Sequence, residues 1–205
     1  MILNESTTNY LKNKFKVEDD AREVRLSNFT RDDLALLFSE LGYTEGAEIG
    51  VERGIYSEVL LKSNPNLDVL HGIDPLEAYH GYREHVSQEK LNGFYNEVRE
   101  KFKGRNYNFS RLFSMIAVRN FDHNSLDFVY IDGNHNFQNT TNDIAEWSKR
   151  VRKGGIVAGH DYNRNKKKDY HCHVKDVVQG WTYAYGIKPY YITSDKSPSW
   201  FYVKE

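Results

Sequence analysis

The 205-residue chain is predicted to form an α/β fold with a doubly wound, mostly parallel sheet of seven strands. Short apolar runs alternate with helical patterns along the chain, an order typical of parallel sheets with right-handed crossovers. The run 126–131 is almost continuously apolar, as in strands that are buried on both faces. Two aromatic runs, 190–192 and 200–203, flank a turn and suit a C-terminal antiparallel hairpin.

The individual elements follow from apolar spacing and from boundary residues. Residues 1–30 form a polar arm with some helix potential, and a helix over 32–38 begins after the N-cap Thr30 and closes near Gly42. Five strands precede the hairpin, at 46–50, 68–73, 107–109, 126–131 and 156–158. The other predicted helices cover 55–63, a stretch within 91–102, a stretch from 174, and a stripe of Ile144, Trp147 and Val151 with Gly154 and Gly155 past its end.

Composition and charge exclude several classes of protein. With 28 Lys+Arg against 29 Asp+Glu, the net charge of -1 gives no basic field for nucleic acid. The single cysteine, Cys172, excludes an internal disulfide and favours a reducing compartment. No run reaches the roughly 20 apolar residues of a membrane span, and residues 1–30 contain no signal-peptide block. We therefore expect a soluble, cytoplasmic protein with one domain over 1–205, in which a helical arm (1–44) precedes the core (45–205).

The segment 47–57 organises the chain: a short strand leads through two glycines into a helix. Gly50 and Gly54 allow a backbone to approach a ligand without an intervening Cβ, and free N–H groups at the helix start would face that ligand. The spacing Glu-x-Gly-x-x-x-Gly does not meet the Gly-x-Gly-x-x-Gly dinucleotide fingerprint. Alone, the segment is a weak signal, because such a spacing is more often an ordinary strand-to-helix turn.

Polar residues follow every predicted strand, and in such sheets ligands bind beyond the carboxyl ends of the strands. Asp74 stands 74 − 50 = 24 residues after Gly50, a separation at which a carboxylate can bind both hydroxyls of a ribose. An aromatic face and a hydroxyl after the third strand suit a purine ring. The residues at the five strand ends are Glu48, Gly50 and Gly54; Asp74; Phe113 and Ser114; Asp132 and His135; and His160 with Asp161.

Four segments together resemble the class I S-adenosylmethionine (SAM)-dependent methyltransferases, in particular a small, often metal-assisted O-methyltransferase group. They are 48–54, 72–75, 131–135 and 153–162, and the resemblance covers about 45–203. It implies a Rossmann-like core that binds SAM. The residues that it assigns to this cofactor are Glu48, Gly50, Gly54, Asp74, Phe113, Ser114 and Asp132.

The resemblance also implies a place for chemistry. Asp132, His160 and Asp161 lie where relatives bind a divalent cation, and His135 or His160 is the base for the acceptor hydroxyl. A histidine in the ligand set favours manganese, iron or zinc over magnesium. Phe113 stands where the family often has an acid, which leaves the contact to the adenine amine without an assigned residue.

The expected function is methyl transfer from SAM to a hydroxyl of a small-molecule or glycan acceptor, with a divalent metal and a homo-oligomer both compatible with the sequence. Two alternatives stay open: a nicotinamide-dependent oxidoreductase, disfavoured by the missing third glycine and the terminal hairpin, and a non-catalytic cofactor-binding module. The loop 79–85 is either a substrate lid or irregular surface. The basic run 166–168 is a solvated loop or attracts an anionic acceptor, and 171–173 lacks a partner cluster for a metal.

Overall fold

The computed structural model describes residues 6–79, 82, 86–167 and 170–205. The strands are β1 (Glu23–Arg25), β2 (Glu45–Ile49), β3 (Val69–Ile73), β4 (Tyr107–Ser110), β5 (Leu126–Ile131), β6 (Val151–Gly159), β7 (Asn165–Lys167), β8 (Tyr170–Cys172), β9 (Tyr190–Ile192) and β10 (Trp200–Val203). The helices are α1 (Thr7–Phe15), α2 (Arg31–Glu40), α3 (Ile55–Ser63), α4 (Gln88–Lys101), α5 (Ser114–Ala117), α6 (Phe137–Trp147) and α7 (Val174–Ala184).

The main sheet has the strand order β1-β9-β10-β6-β5-β2-β3-β4, and β7 pairs with β8 in a separate hairpin. Strands β2 to β6 pair in parallel, whereas β10 runs antiparallel to both β6 and β9. Ile49 stands level with Ile73 on one side and with Ile131 on the other. This register brings the carboxyl ends of the central strands to one edge, so the predicted fold class and its terminal hairpin are confirmed.

Two apolar clusters cover the two faces of this sheet, as a doubly wound fold requires. On one face, Phe38 of α2 stacks on Phe128 of β5 with ring centroids 4.1 Å apart, and α1, α3 and α4 join the same cluster. On the other face, Trp147 of α6 is fully buried with residues of α5 and α7. No helix in the described ranges is both long and apolar enough to cross a membrane.

Helix α2 begins as its sequence predicts, because Thr30 and Asp33 form a capping box. The Asp33 backbone N–H donates to the Thr30 hydroxyl at 3.4 Å, and the Thr30 N–H donates to the Asp33 carboxylate at 2.7 Å. The exchange satisfies two N–H groups that an isolated helix end would leave open. The cap fixes where α2 starts and therefore where Arg31, its first residue, points.

The sheet has eight strands rather than the predicted seven, because β1 adds an edge strand parallel to β9. Three residues, Glu-Val-Arg, are too few and too polar for a strand signal. Their position is set by distant partners instead: the hydroxyls of Tyr162 and Tyr190 donate to the Glu23 carboxylate at 2.7 and 2.9 Å. The predicted arm therefore supplies an element of the sheet.

The helix that is predicted to include Ile144, Trp147 and Val151 ends before Val151. Helix α6 ends at Trp147, Val151 opens β6, and Gly154 and Gly155 lie inside that strand rather than past a helix. A Cβ on Gly155 would stand 2.4 Å from the Asp127 carbonyl oxygen, so this glycine serves the close approach of β6 to β5. Val151 sits four residues after Trp147, a spacing that continues a helical stripe and equally fits the first inward residue of a strand.

Candidate active site

The loop after β2 passes directly over the neighbouring strand ends. Gly50 has φ +92°, and a Cβ there would lie 2.0 Å from the backbone oxygen of Asp132. Its N–H donates to the Ile73 carbonyl at 2.8 Å, while the Asp132 N–H donates to the Ile49 carbonyl at 2.7 Å. Only glycine fits at position 50, because both the backbone conformation and the contact exclude a side chain.

Gly54 has a packing role within the fold. It has φ +69° at the start of α3, and a Cβ on it would lie 2.5 Å from the ring of Phe102. Gly54 thus allows α3 to pack against the end of α4. Gly54 is absent from the described residues that line the two cavities over the central strands.

Two adjoining cavities open over the carboxyl ends of the central strands, and they share Gly50 and Tyr82. The larger, of about 400 Å³, has a polar wall that includes Arg31, Glu48, Asp132 and His135. The smaller, of about 220 Å³, has the predicted residues Asp74, Phe113 and Ser114 together with Asp143. A separate cavity of about 410 Å³, lined by residues such as Trp181, Tyr185 and Lys204, contains no predicted site residue.

Glu48 is 2% exposed and forms part of the floor of the larger cavity. The hydroxyl of Ser57 in α3 donates to its carboxyl group, and that hydroxyl also lies 3.1 Å from the Tyr107 hydroxyl. Burial raises the pKa of Glu48 to about 8, since the charged form loses its hydration. A neutral or readily protonated carboxyl therefore lies under the cavity near pH 7.

This raised pKa predicts a pH-dependent stability. Between the ordinary value of 4.5 and about 8, the unfolded chain binds fewer protons at Glu48 than the folded chain. The free energy of unfolding therefore falls as pH rises through this window, by up to about 1.4 kcal/mol per pH unit. We expect Glu48→Gln to remove this pH-dependent contribution to the free energy of unfolding. The free energy of unfolding of the wild type minus that of the variant should therefore fall between about pH 5 and 8, measured by urea titrations with chelator. A difference that stays level with pH would contradict a buried neutral Glu48.

Asp74 lies at the end of β3, is buried and lines the smaller cavity. The backbone N–H of Glu52 donates to one of its carboxylate oxygens at 2.9 Å, and the N–H of Leu76 donates to the other at 2.8 Å. Glu52 and Leu76 both have positive φ, of 49° and 44°. The carboxylate thus holds the Gly50 loop against the end of β3, in addition to facing the cavity.

Phe113 and Ser114 begin α5 at the wall of the smaller cavity. The Ser114 hydroxyl donates to Asp143 Oδ1 at 2.5 Å and accepts from the Trp147 indole N–H at 2.8 Å. The Phe113 ring meets Tyr79 edge to face, with centroids 5.3 Å apart. The predicted pair is therefore at the cavity, and its hydroxyl is tied to a residue of α6 that the sequence did not single out.

Asp132, His135, His160 and Asp161 converge beside the larger cavity. His135 Nε2 lies 3.2 Å from Asp132 Oδ1 and 3.6 Å from Asp161 Oδ2. His160 Nδ1 lies 3.5 Å from Asp132 Oδ2 and 3.6 Å from Asp161 Oδ1. One ligand atom each from Asp132, His135 and Asp161 can be chosen so that all lie within 4.8 Å of one another. His135, which the sequence assigned only to the base, is thus a candidate metal ligand.

Asp132 and His160 stabilise each other's charged forms. Burial opposes ionisation of Asp132, but its hydrogen bonds with His135 and His160 outweigh burial and hold the pKa of its carboxyl well below the ordinary value. Burial also opposes the charged form of His160, yet the hydrogen bond and charge of Asp132 raise the pKa of that imidazole. Asp161 has φ +50°, a backbone state that costs energy outside glycine and is common at functional sites.

Arg31 is a site residue that sequence reasoning missed. It lines the larger cavity from the first turn of α2, with its guanidinium carbon 5.0 Å from the centroid of the Tyr56 ring. Burial opposes the charged form of Arg31, but its interactions with Tyr130, Asp132 and Tyr56 outweigh burial and raise the pKa of the guanidinium. The capping box at Thr30 was the one sequence signal near it, and that signal carries no information about a ligand.

The remaining predicted clusters have mixed outcomes. Tyr79 and Tyr82 pair through their backbones and line the smaller cavity, whereas 80–81 and 83–85 of that loop lie outside the described residues. The backbone of 165–167 forms β7, and Lys168 lies outside the described residues. Cys172 is buried, and its thiol lies 3.5 and 3.4 Å from the carbonyl oxygens of Asp161 and Asn163.

The order of the sheet and the cavities over its central strands define a Rossmann-like fold of the methyltransferase type. A candidate caffeoyl-CoA O-methyltransferase from Staphylococcus aureus superimposes with a TM-score of 0.65 at 12% identity, over 98% of this chain and 93% of that one. An O-methyltransferase from Bacillus cereus, in complex with SAH (S-adenosylhomocysteine), superimposes with a TM-score of 0.55 at 14% identity, over 100% of this chain and 93% of that one. Spermidine synthase from Thermotoga maritima superimposes with a TM-score of 0.60 at 12% identity, over 87% of this chain and 60% of that one. At these identities the likeness establishes the fold.

The chain belongs to a methyltransferase-domain family, whose sequence pattern matches residues 47–162. This match confirms the resemblance drawn from the motifs. An uncharacterised protein of Acanthamoeba polyphaga mimivirus is 28% identical over 140 residues, which cover 66% of this chain. The chain spans 55% of the length of that curated relative.

Proposed function

We propose that the protein transfers a methyl group from SAM to a hydroxyl of a small-molecule or glycan acceptor in the cytoplasm. The observation that carries the proposal is the pair of adjoining cavities that meet at Gly50. The smaller cavity, with Asp74 and Phe113, suits the ribose and the adenine. The larger, with Glu48 and Asp132 beside the glycine loop, suits the methionine portion and the acceptor. The sulfonium would then lie near their junction.

Methyl transfer from a sulfonium is an in-line displacement, so the protein has to align the acceptor oxygen and make it nucleophilic. His135 is the proposed proton acceptor, because it lines the larger cavity and Asp132 lies 3.2 Å from its Nε2. The imidazole of His160, whose pKa is raised, lies 3.5 Å from the other oxygen of Asp132 and so helps to position that carboxylate. Arg31 brings a positive charge to the same cavity, where it would bind a carboxylate of the cofactor or of the acceptor.

A divalent cation fits the donor set of Asp132, His135 and Asp161, whose ligand atoms lie within 4.8 Å of one another. A bound cation would polarise the acceptor hydroxyl, the chemistry that His135 otherwise supplies by taking its proton. Two carboxylates and an imidazole favour manganese, iron or zinc over magnesium, which prefers an all-oxygen shell.

The proposal is tested by ligand-induced stabilisation, since a ligand that binds only the folded state raises the melting temperature. S-adenosylhomocysteine (SAH) at about 100 times its dissociation constant contributes about 2.7 kcal/mol, a rise of roughly 5–10 °C for a chain of this size. We expect this rise with SAH and none with NAD. The same preparation is then incubated with SAM and a panel of hydroxyl acceptors, and SAH formation is measured.

The outcomes separate the three candidate functions. A rise with NAD alone would favour the oxidoreductase and contradict the proposal. A rise with SAH but no SAH production with any acceptor, with or without manganese, would favour a binding module that has lost turnover. Stabilisation by SAH together with turnover on one acceptor class would support methyl transfer and identify the acceptor.

A further inference from the structure

Asp143 is a buried carboxyl group that the proposed chemistry does not use. It projects from α6 into the smaller cavity and is 5% exposed. Around it the cavity wall is largely apolar, with Ile73, Pro75, Phe113 and Met115. Such a wall suits a flat aromatic base, and in sites of this kind a few polar groups determine which base is accepted.

The hydrogen bonds of Asp143 leave one of its oxygens for a ligand. Oδ1 accepts the Ser114 hydroxyl at 2.5 Å, and the Trp147 indole N–H donates to the same hydroxyl at 2.8 Å. The proton of Ser114 is thereby committed to Asp143. Within the described part of the chain, Oδ2 has no hydrogen-bond partner. It lies 3.6 Å from the position a Cβ would take on Gly133, which also lines the cavity.

We propose that Asp143 recognises the adenine of the cofactor by accepting a hydrogen bond from its exocyclic amine at Oδ2. This inference rests on the proposed function. It supplies the acceptor that Phe113 cannot provide after β4, and it takes that acceptor from α6. Ser114 and Trp147 act as positioning residues, because they fix the plane of the carboxyl group through Oδ1.

The protonation of Asp143 suits this role. Burial raises the pKa of Asp143 to about 7, so the neutral and charged forms coexist near neutral pH. Both forms accept a hydrogen bond from an amine, and the neutral form also donates one, to the ring nitrogen beside that amine. Hypoxanthine carries a carbonyl oxygen in place of the amine and a proton on the neighbouring ring nitrogen. The hydrogen bond from the amine to Oδ2 is then lost, and the charged carboxylate would face a carbonyl oxygen.

The test compares SAH with S-inosylhomocysteine by calorimetric titration at about pH 8, where the charged form of Asp143 predominates. In the second nucleoside a carbonyl oxygen replaces the amine and the adjacent ring nitrogen carries a proton. We expect the wild-type protein to bind SAH about 30-fold more tightly, since an unpaired buried polar group typically costs 1–3 kcal/mol. Asp143→Asn can turn its amide N–H toward the carbonyl of hypoxanthine, and its preference should shrink to about threefold or less or reverse. The ratio is taken within each variant, so a partly unfolded preparation does not alter it.

Two further variants distinguish direct recognition of the adenine by Asp143 from the positioning of its carboxyl group. Ser114→Ala removes the contact to Oδ1 but leaves Oδ2, and we expect weaker binding of both nucleosides with the preference for SAH retained. Asn142→Ala, next to Asp143 on α6, removes a side-chain hydrogen bond with Gln138, the one such bond that Asn142 makes among the described residues, and should behave as the wild type. A wild-type preference in Asp143→Asn would overturn the inference while leaving the proposed function standing. Failure of the wild-type protein to bind either nucleoside would overturn both.

Discussion

Gly50→Ala is expected to destabilise the fold by about 2–5 kcal/mol and to abolish SAH binding. The new methyl would lie 2.0 Å from the Asp132 backbone oxygen, and alanine strongly disfavours φ +92°. Relief requires the loop to move away from the end of β5, which separates the two cavities where they meet. Urea titrations give the stability, and calorimetry with SAH at low temperature gives the binding of the variant that remains folded.

Gly104→Ala is the matched control for this substitution. Gly104 also has positive φ, at 74°, but a Cβ on it would meet no atom within 4 Å. Its variant should lose only about 1–2 kcal/mol from the backbone conformation and should bind SAH as the wild type does. Equal losses of stability in the two variants, or normal SAH binding by folded Gly50→Ala, would contradict the role assigned to the contact with Asp132.

Asp132→Ala is expected to lower the affinity for Mn²⁺ at least about 100-fold, because it removes a charged ligand from the centre of the cluster. Loss of a partner outside the ligand shell already costs 10–100-fold in metal sites. Asp132 lies within 3.5 Å of both His135 and His160, so its loss also frees both imidazoles. Binding is measured by calorimetric titration of chelator-treated protein with Mn²⁺.

Asp122→Ala provides the control for charge. Asp122 is exposed and precedes β5, whereas Asp132 follows that strand, so the two aspartates lie at opposite ends of β5. The Asp122 variant should therefore bind Mn²⁺ with wild-type affinity. Wild-type affinity in Asp132→Ala would remove the proposed cation site, and the proton-accepting role of His135 would then stand without a metal. A similar loss in both variants would point to non-specific binding of the metal by the acidic surface.

The position of the site could be predicted because parallel strands bring their carboxyl ends to one edge. Asp74 and Asp132 are 58 residues apart in the chain (132 − 74), yet each follows a strand that pairs with β2. Asp74 lines the smaller cavity and Asp132 lines the larger. The apolar run of β5 and the shorter run before Asp74 predicted those strands, because both are short and lie between helical patterns.

What the sequence could not predict depends on contacts between distant segments. Arg31 reaches the larger cavity from the N-terminal arm because α2 packs beside α3 and its guanidinium lies over Tyr56. A Cβ on Gly54 would meet the ring of Phe102, 48 residues later (102 − 54), a contact that the motif does not reveal. A glycine in a motif shows that space is short there, but the neighbour that limits the space is visible only in three dimensions.

The central claim is that one nucleoside spans the two cavities that meet at Gly50. A crystal structure of the protein grown with SAH tests it most directly. We expect the adenine between Phe113 and Asp143 and the homocysteine beside Gly50 and Glu48. Density for the nucleoside in the separate cavity beside Trp181, or in the reverse orientation with its base beside Glu48, would contradict this placement of the cofactor.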